Sequence, residues 1–113
     1  MDCLFCGIAD KSIPADIVYE DERVVAFRDI DPKAPTHILV VPRKHIATLN
    51  DIEPEDHDLI GHILGTAKRL AADAGHSEDG FRVVMNCNEH GGQTVFHIHM
   101  HLLGGRQLGW PPG

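Results

Sequence analysis

The chain has 113 residues, 42% of them hydrophobic, and a formal net charge of -7 at pH 7. That supplies one self-supporting core, so a single domain over residues 1–113 is expected. The acidic balance excludes long nucleic acid as a general partner, because phosphate backbones are gripped by Lys/Arg patches, but a small nucleotide held by main-chain amides stays open.

The opening "MDCLFCGIAD" has no basic leader and no long apolar run, and the longest strongly apolar stretch, "ILVV", is far too short to span a bilayer. A cytoplasmic protein without a membrane partner is the expectation. Cys3, Cys6 and Cys87 do not form a secreted disulfide framework, and the close pair Cys3/Cys6 points to metal or redox chemistry. A redox motif needs a strand before it, and nothing strand-like precedes Cys3; a zinc site needs two further N or S ligands. Cys87 reads as a small residue of a strand.

A short helix is expected over residues 5–10. The runs "DIVYE" (16–20) and "RVVAFRD" (23–29) predict a hairpin turning at Asp21 and Glu22. "HILVVPRKH" predicts a third strand ended at Pro42, which cannot donate to a ladder. Over residues 54–74, Leu59, Ile60, Ile63, Leu64, Ala67, Leu70, Ala71 and Ala74 recur at helical spacing. Pro54 suits the first turn, Glu55 and Asp56 suit the positive end of the helix dipole, and Gly75 suits a left-handed cap. "FRVVMNC" (81–87) and "TVFHIHMHLL" (94–103) predict two more strands joined by "NEHGG". The pattern is α+β: a five-stranded, mostly antiparallel sheet packed on one long helix, with a short N-terminal helix.

In the last predicted strand, residues two apart share a face. His97, His99 and His101 then line one side, and Phe96, Ile98, Met100 and Leu102 point to the core. A surface strand needing only polarity would use Thr, Lys or Glu, without clustering groups that titrate near neutrality. Just before it, in "HGGQT", Gly91 and Gly92 permit positive φ and close backbone approach, and Gln93 and Thr94 add side-chain donors. An anion cradle beside a nucleophile is the expected chemistry.

"HIHMHLL" matches the alternating His signature of the histidine triad family. The chain resembles that family's Hint branch of nucleotide-binding phosphoramidases through "IPADIVYED", "VVAFRDIDPKAPTHILVVPRKHI", "GGQTVFHIHMHLLGGRQ" and the terminal "WPPG", in the same order. The resemblance implies that His99 attacks the α-phosphorus of a nucleoside monophosphate derivative and forms a nucleotidyl-histidine that water hydrolyses. A neutral imidazole can do this at pH 7 without a separate strong base. Its other nitrogen then needs an acceptor, and the carbonyl of His97 is the expected one. His101 would contact the phosphoryl oxygens or help the amine leave, and His37 would support the triad from a neighbouring strand or be a satisfied structural histidine.

By the same resemblance, Asp29 receives the ribose hydroxyls, and Ile13, Phe27 and Ile30 contact the base. Asn86, Gly92, Gln93 and Thr94 surround the phosphate. Many Hint-branch members lack the Cys pair; with it, the chain is similar to zinc-carrying bacterial members, which implies Cys3, Cys6, His45 and His97 as ligands of a structural zinc. His57, His62, His76 and His90 read as solvated residues. The implied protein is a homodimer whose C-terminal tail nears the partner's active site. Its implied activity is hydrolysis of P–N bonds in purine nucleoside 5'-monophosphoramidates. The rivals are a dinucleoside polyphosphate hydrolase or nucleotidyltransferase, a non-catalytic nucleotide-binding module, and a zinc-stabilised domain without catalysis.

Overall fold

A computed structural model describes residues 3–113. Its elements follow the expected order. Helix α1 (Leu4–Ala9) precedes the hairpin β1 (Ile17–Glu20) and β2 (Val24–Arg28), then β3 (Thr36–Pro42). Helix α2 (His57–Asp73) is followed by β4 (Phe81–Val84), a one-turn helix α3 (Asn88–Gly91) and β5 (Met100–Gly104). The five strands form one sheet in the order β1-β2-β3-β5-β4, and every neighbouring pair is antiparallel.

Alternation along the strands divides the core between the two faces. Val24, Ala26, Ile38, Val40, Met100 and Leu102 pack with Leu59, Ile63, Ala67 and Leu70 of α2. The other face presents Val25, Phe27, Leu39 and Val41 to Phe5, Ile8 and Ala9 of α1. Six residues of helix cover only part of that face, and His97 and His99 lie against Phe5 at its side.

Pro54 falls in a 3₁₀ turn, Pro54–Asp56, that leads into α2, so the regular helix starts three residues later than its apolar pattern suggests. The Asp56 carboxylate accepts the Glu53 N–H at 3.0 Å and a Lys44 Nζ bond at 2.6 Å. Gly75 takes φ 83°, the expected left-handed exit from the helix.

The last strand is shorter than its pattern predicts. Regular pairing begins at Met100, opposite Val40, and residues 94–99 carry no ladder. Continuing the register would set Ile98 against Pro42, which has no N–H to donate. Ile98 instead donates to the Ile46 carbonyl at 2.8 Å. Ile98, Met100 and Leu102 are core residues as expected, but Phe96 lies outside the core, 49% exposed. His97 and His99 therefore precede the strand, and only His101 is on it. Two histidines read as solvated are in fact bonded: His62 Nε2 meets Asp21 Oδ2 at 2.7 Å, and His76 Nε2 meets Thr36 Oγ1 at 2.8 Å.

Candidate active site and metal centre

The three signature histidines are each oriented by the main chain or by another histidine. His97 is fully buried, and its Nε2–H donates to the Pro42 carbonyl at 2.8 Å. That bond fixes the tautomer and leaves the Nδ1 lone pair free. His99 Nδ1–H donates to the His97 carbonyl at 2.8 Å, as expected from the sequence, and its Nε2 has no protein partner among the described residues. In the neutral ring this bond leaves the lone pair on Nε2 and fixes the ring's position. His101 Nδ1 stands 2.8 Å from His37 Nε2, which is also 3.4 Å from Asp29 Oδ2. His37 comes from β3, is 6% exposed and sits against His101.

Burial, reinforced by the neighbouring His99 and His37 charges, pushes His101 down to about 4. Burial also lowers His37, with Asp29 opposing. Both rings are therefore neutral at pH 7. The ring of Phe5 meets His99 edge-on, with centroids 5.0 Å apart, and so limits how the imidazole can tilt.

His99 and His101 open into a cleft of about 370 Å³. Ile13, Phe27, Asp29, Ile30 and Thr94, all expected from the sequence, line it. Ile30 is fully exposed at its mouth. Sequence reasoning missed the wall supplied by Leu4, Phe5 and Ile8 of α1. Their only signal was apolar spacing in a short helix, which reads as core. A larger hollow of about 860 Å³ lies beside Cys3, Cys6, Arg43 and His45, but neither His99 nor His101 lines it, so the smaller cleft is the one these two histidines face.

Asn86, Gly92 and Gln93, also expected at the site, are not among the residues that line the cleft. Gly92 takes φ 84° and closes α3, while Gly91 has no positive φ. The amides of Gly92 and Gln93 donate to the Glu89 and Asn88 carbonyls. Gln93, 6% exposed, accepts the Asn88 N–H through Oε1 and donates Nε2 to the carbonyls of Ala47 and Val95. Its side chain is committed to holding the loop and is not the anion donor expected of it. Thr94 and Val95 are the loop residues that reach the cleft.

The donor atoms of Cys3, Cys6, His45 and His97 all lie within 4.8 Å of one another. Cys3 Sγ is 3.3 Å and Cys6 Sγ 3.5 Å from His97 Nδ1, and His45 Nδ1 is 3.1 Å from it. The Pro42 bond leaves His97 Nδ1 unprotonated and directed into the cluster, as a ligand must be. Burial and then the neighbouring Cys3 and Asp10 push the Cys6 thiol up to about 11, and a bound cation would favour its thiolate. Two sulfurs and two imidazole nitrogens at these separations fit a closed tetrahedral metal centre.

The HIT domain family matches residues 10–108. A purine nucleoside phosphoramidase of Escherichia coli K12 is 53% identical over 106 residues, covering 94% of this chain and 89% of that protein. A HIT-like protein of Synechococcus elongatus is 54% identical over 112 residues, covering 99% and 97%. The crystal structure of a HIT family hydrolase from Legionella pneumophila superposes with a TM-score of 0.98 at 58% identity, covering 99% of this chain and 100% of the other. With histidine geometry, fold and relatives in agreement over nearly the whole chain, the protein belongs to the HIT domain family and is, at the level of that family, a hydrolase.

Proposed function

We propose that the protein hydrolyses the P–N bond of purine nucleoside 5'-monophosphoramidates through a covalent nucleotidyl-His99 intermediate. The observation that carries this reading is the state of His99: Nδ1–H is held by a carbonyl, and Nε2 is left as a lone pair at the wall of an apolar cleft that also contains a carboxylate. The phosphoramidase name of the 53%-identical relative supports the choice of bond and of a purine nucleotide as ligand.

In this reading the base lies against Ile13, Phe27 and Ile30, and Asp29 accepts the ribose hydroxyls. His99 Nε2 attacks phosphorus in line with the departing nitrogen, and His101 presents a second ring to the same phosphoryl group. Asn86, Gly92, Gln93 and Thr94 shape the loop around it, the first three from behind. Zinc held by Cys3, Cys6, His45 and His97 would supply a structural crosslink, with no open position for substrate. The protein works in the cytoplasm as a homodimer, and its "WPPG" end reaches the partner's cleft.

The test is AMP release from adenosine 5'-phosphoramidate by wild type and His99→Ala prepared in parallel. Turnover by wild type only, with an AMP adduct on intact wild-type protein after rapid quenching, is the expected result. AMP release by His99→Ala at the wild-type rate removes His99 as nucleophile. Binding of AMP without turnover by either protein leaves the non-catalytic module as the better reading.

A further inference from the structure

A chain of hydrogen bonds with one direction runs into the site from a loop that the mechanism has not used. Arg106 donates from Nε and Nη2 to the Lys33 carbonyl at 3.1 and 3.0 Å. The Lys33 N–H donates to His37 Nδ1 at 3.0 Å. A main-chain amide can only donate, so His37 Nδ1 is an acceptor and the neutral ring carries its proton on Nε2. The Asp29 carboxylate, 3.4 Å from that nitrogen, favours the same placement. His37 Nε2–H then donates to His101 Nδ1 at 2.8 Å, and His101 carries its own proton on Nε2.

Each place in the pair is filled once. A second proton would have to enter at His37 Nδ1, where it meets the Lys33 N–H, or at His101 Nδ1, where it meets the His37 N–H. Neither ring becomes an imidazolium without breaking this chain. The same logic removes a metal from Asp29, His37 and His101, although their donor atoms cluster within 4.8 Å. A metal there would need the lone pair of His37 Nε2, which the Lys33 amide turns into an N–H.

We propose that the Lys33 peptide locks His37 and His101 in one neutral tautomer, so that His101 acts as a neutral hydrogen-bond donor to the phosphoryl oxygens and not as the acid that protonates the leaving amine. The proposal rests on the P–N hydrolase reading. A donor aimed at oxygens that gain charge stabilises the transition state more than the ground state, and a neutral imidazole can serve in that way. The burial that holds both rings below their ordinary range acts in the same direction.

The proton balance then follows. The phosphoramidate nitrogen takes a proton from solvent before attack. His99 Nε2 gives its lone pair to phosphorus, the P–N bond to the amine breaks with its electron pair on nitrogen, and a neutral amine leaves. The nucleotidyl-imidazolium keeps its Nδ1–H on the His97 carbonyl. Water then adds to phosphorus, the P–Nε2 pair returns to His99, and one water proton passes to solvent as the nucleotide forms. Lys33 and Arg106 are positioning residues in this scheme; neither lines the cleft.

Leaving-group dependence tests the role of His101. Wild type and His101→Ala are compared on adenosine 5'-phosphoramidate and on the 4-nitrophenyl ester of AMP, whose leaving group needs no proton. A neutral phosphoryl donor predicts a loss of about 10²- to 10³-fold on both substrates, the two losses agreeing within about tenfold. A loss more than about tenfold larger on the phosphoramidate overturns the proposal, because protonation of the amine is what general acid catalysis supplies.

Lys33→Pro removes the N–H, whereas Lys33→Ala removes only the side chain. The expected result is a kcat at least about tenfold lower in Lys33→Pro than in Lys33→Ala, at similar KM; equal kcat values in two folded variants overturn the lock. Should Lys33→Pro fail to fold, ¹⁵N NMR of the wild-type histidines decides. Protons on Nε2 alone in both His37 and His101 at pH 6 are expected, and a proton on Nδ1 of either ring overturns the proposal. That spectrum needs no substrate, so it stands apart from any failure of the hydrolase reading.

Discussion

At the scale of single residues, this site is built by fixing ring protons. Main-chain carbonyls hold the N–H of His97 and His99, and a main-chain amide holds Nδ1 of His37. Keeping His101 neutral has a consequence for stability. Its folded-state pKa lies near 4, and an unfolded histidine titrates at about 6.5, so the unfolded chain binds more protons between those values. The contribution is complete above pH 6.5 and is lost as pH falls through the window toward 4, and His37, lowered in the same direction, adds to it. Thermal unfolding of wild type and His101→Asn at pH 7 and pH 5 should show a steeper fall of Tm for wild type. Parallel falls would show that His101 titrates normally in the folded protein.

At the scale of elements, α1 joins the two centres. Its N-cap Cys3 and its Cys6 belong to the Cys/His cluster, while Leu4, Phe5 and Ile8 form a wall of the cleft. Six residues are too few to hold a helix by propensity alone, so an external crosslink matters here. Cys6→Ser should lower bound zinc from about one equivalent per chain to less than half, and lower Tm by on the order of 5 °C or more. Full zinc content in Cys6→Ser, measured on protein purified without added metal, would remove this assignment. The sequence foretold the elements because periodicity is local: the apolar stripe of α2, the alternation in β2 and β3, and the stop at Pro42 are all readable within a few residues. It also foretold the acceptor for His99, two residues away. What it hid depends on contacts made across the fold. The commitment of Gln93 to Ala47, the wall provided by Leu4 and Phe5, and the Lys33 amide behind His37 carry no local signature, and each needs the folded sheet to become visible.

At the scale of the whole molecule, β4, like β1, is an outer strand with one neighbour, and the proposed dimer would pair along such a free edge. The C-terminal tail starts beside that strand, where Arg82 Nη2 donates to the Gly109 carbonyl at 2.8 Å. Beyond this bond the tail makes little contact with its own chain: Trp110 is 83% exposed, and residues 109–113 are all exposed. The proposed dimer would offer this rigid aromatic and its two prolines a partner's cleft. Deleting residues 108–113 should therefore shift the ratio of kcat/KM between two phosphoramidates differing only in the amine, with Tm changed by no more than about 2 °C. A large fall in Tm would place the tail in the fold instead. Action across the dimer is separable from action within one chain. When the deletion chain is mixed and refolded with full-length His99→Ala, the only competent site belongs to the deletion chain, and the only tail belongs to its partner. Recovery of the full-length substrate preference in that mixture is the expected outcome. A preference that stays with the deletion protein, in a mixture shown to contain heterodimer, would place the tail's action within its own chain.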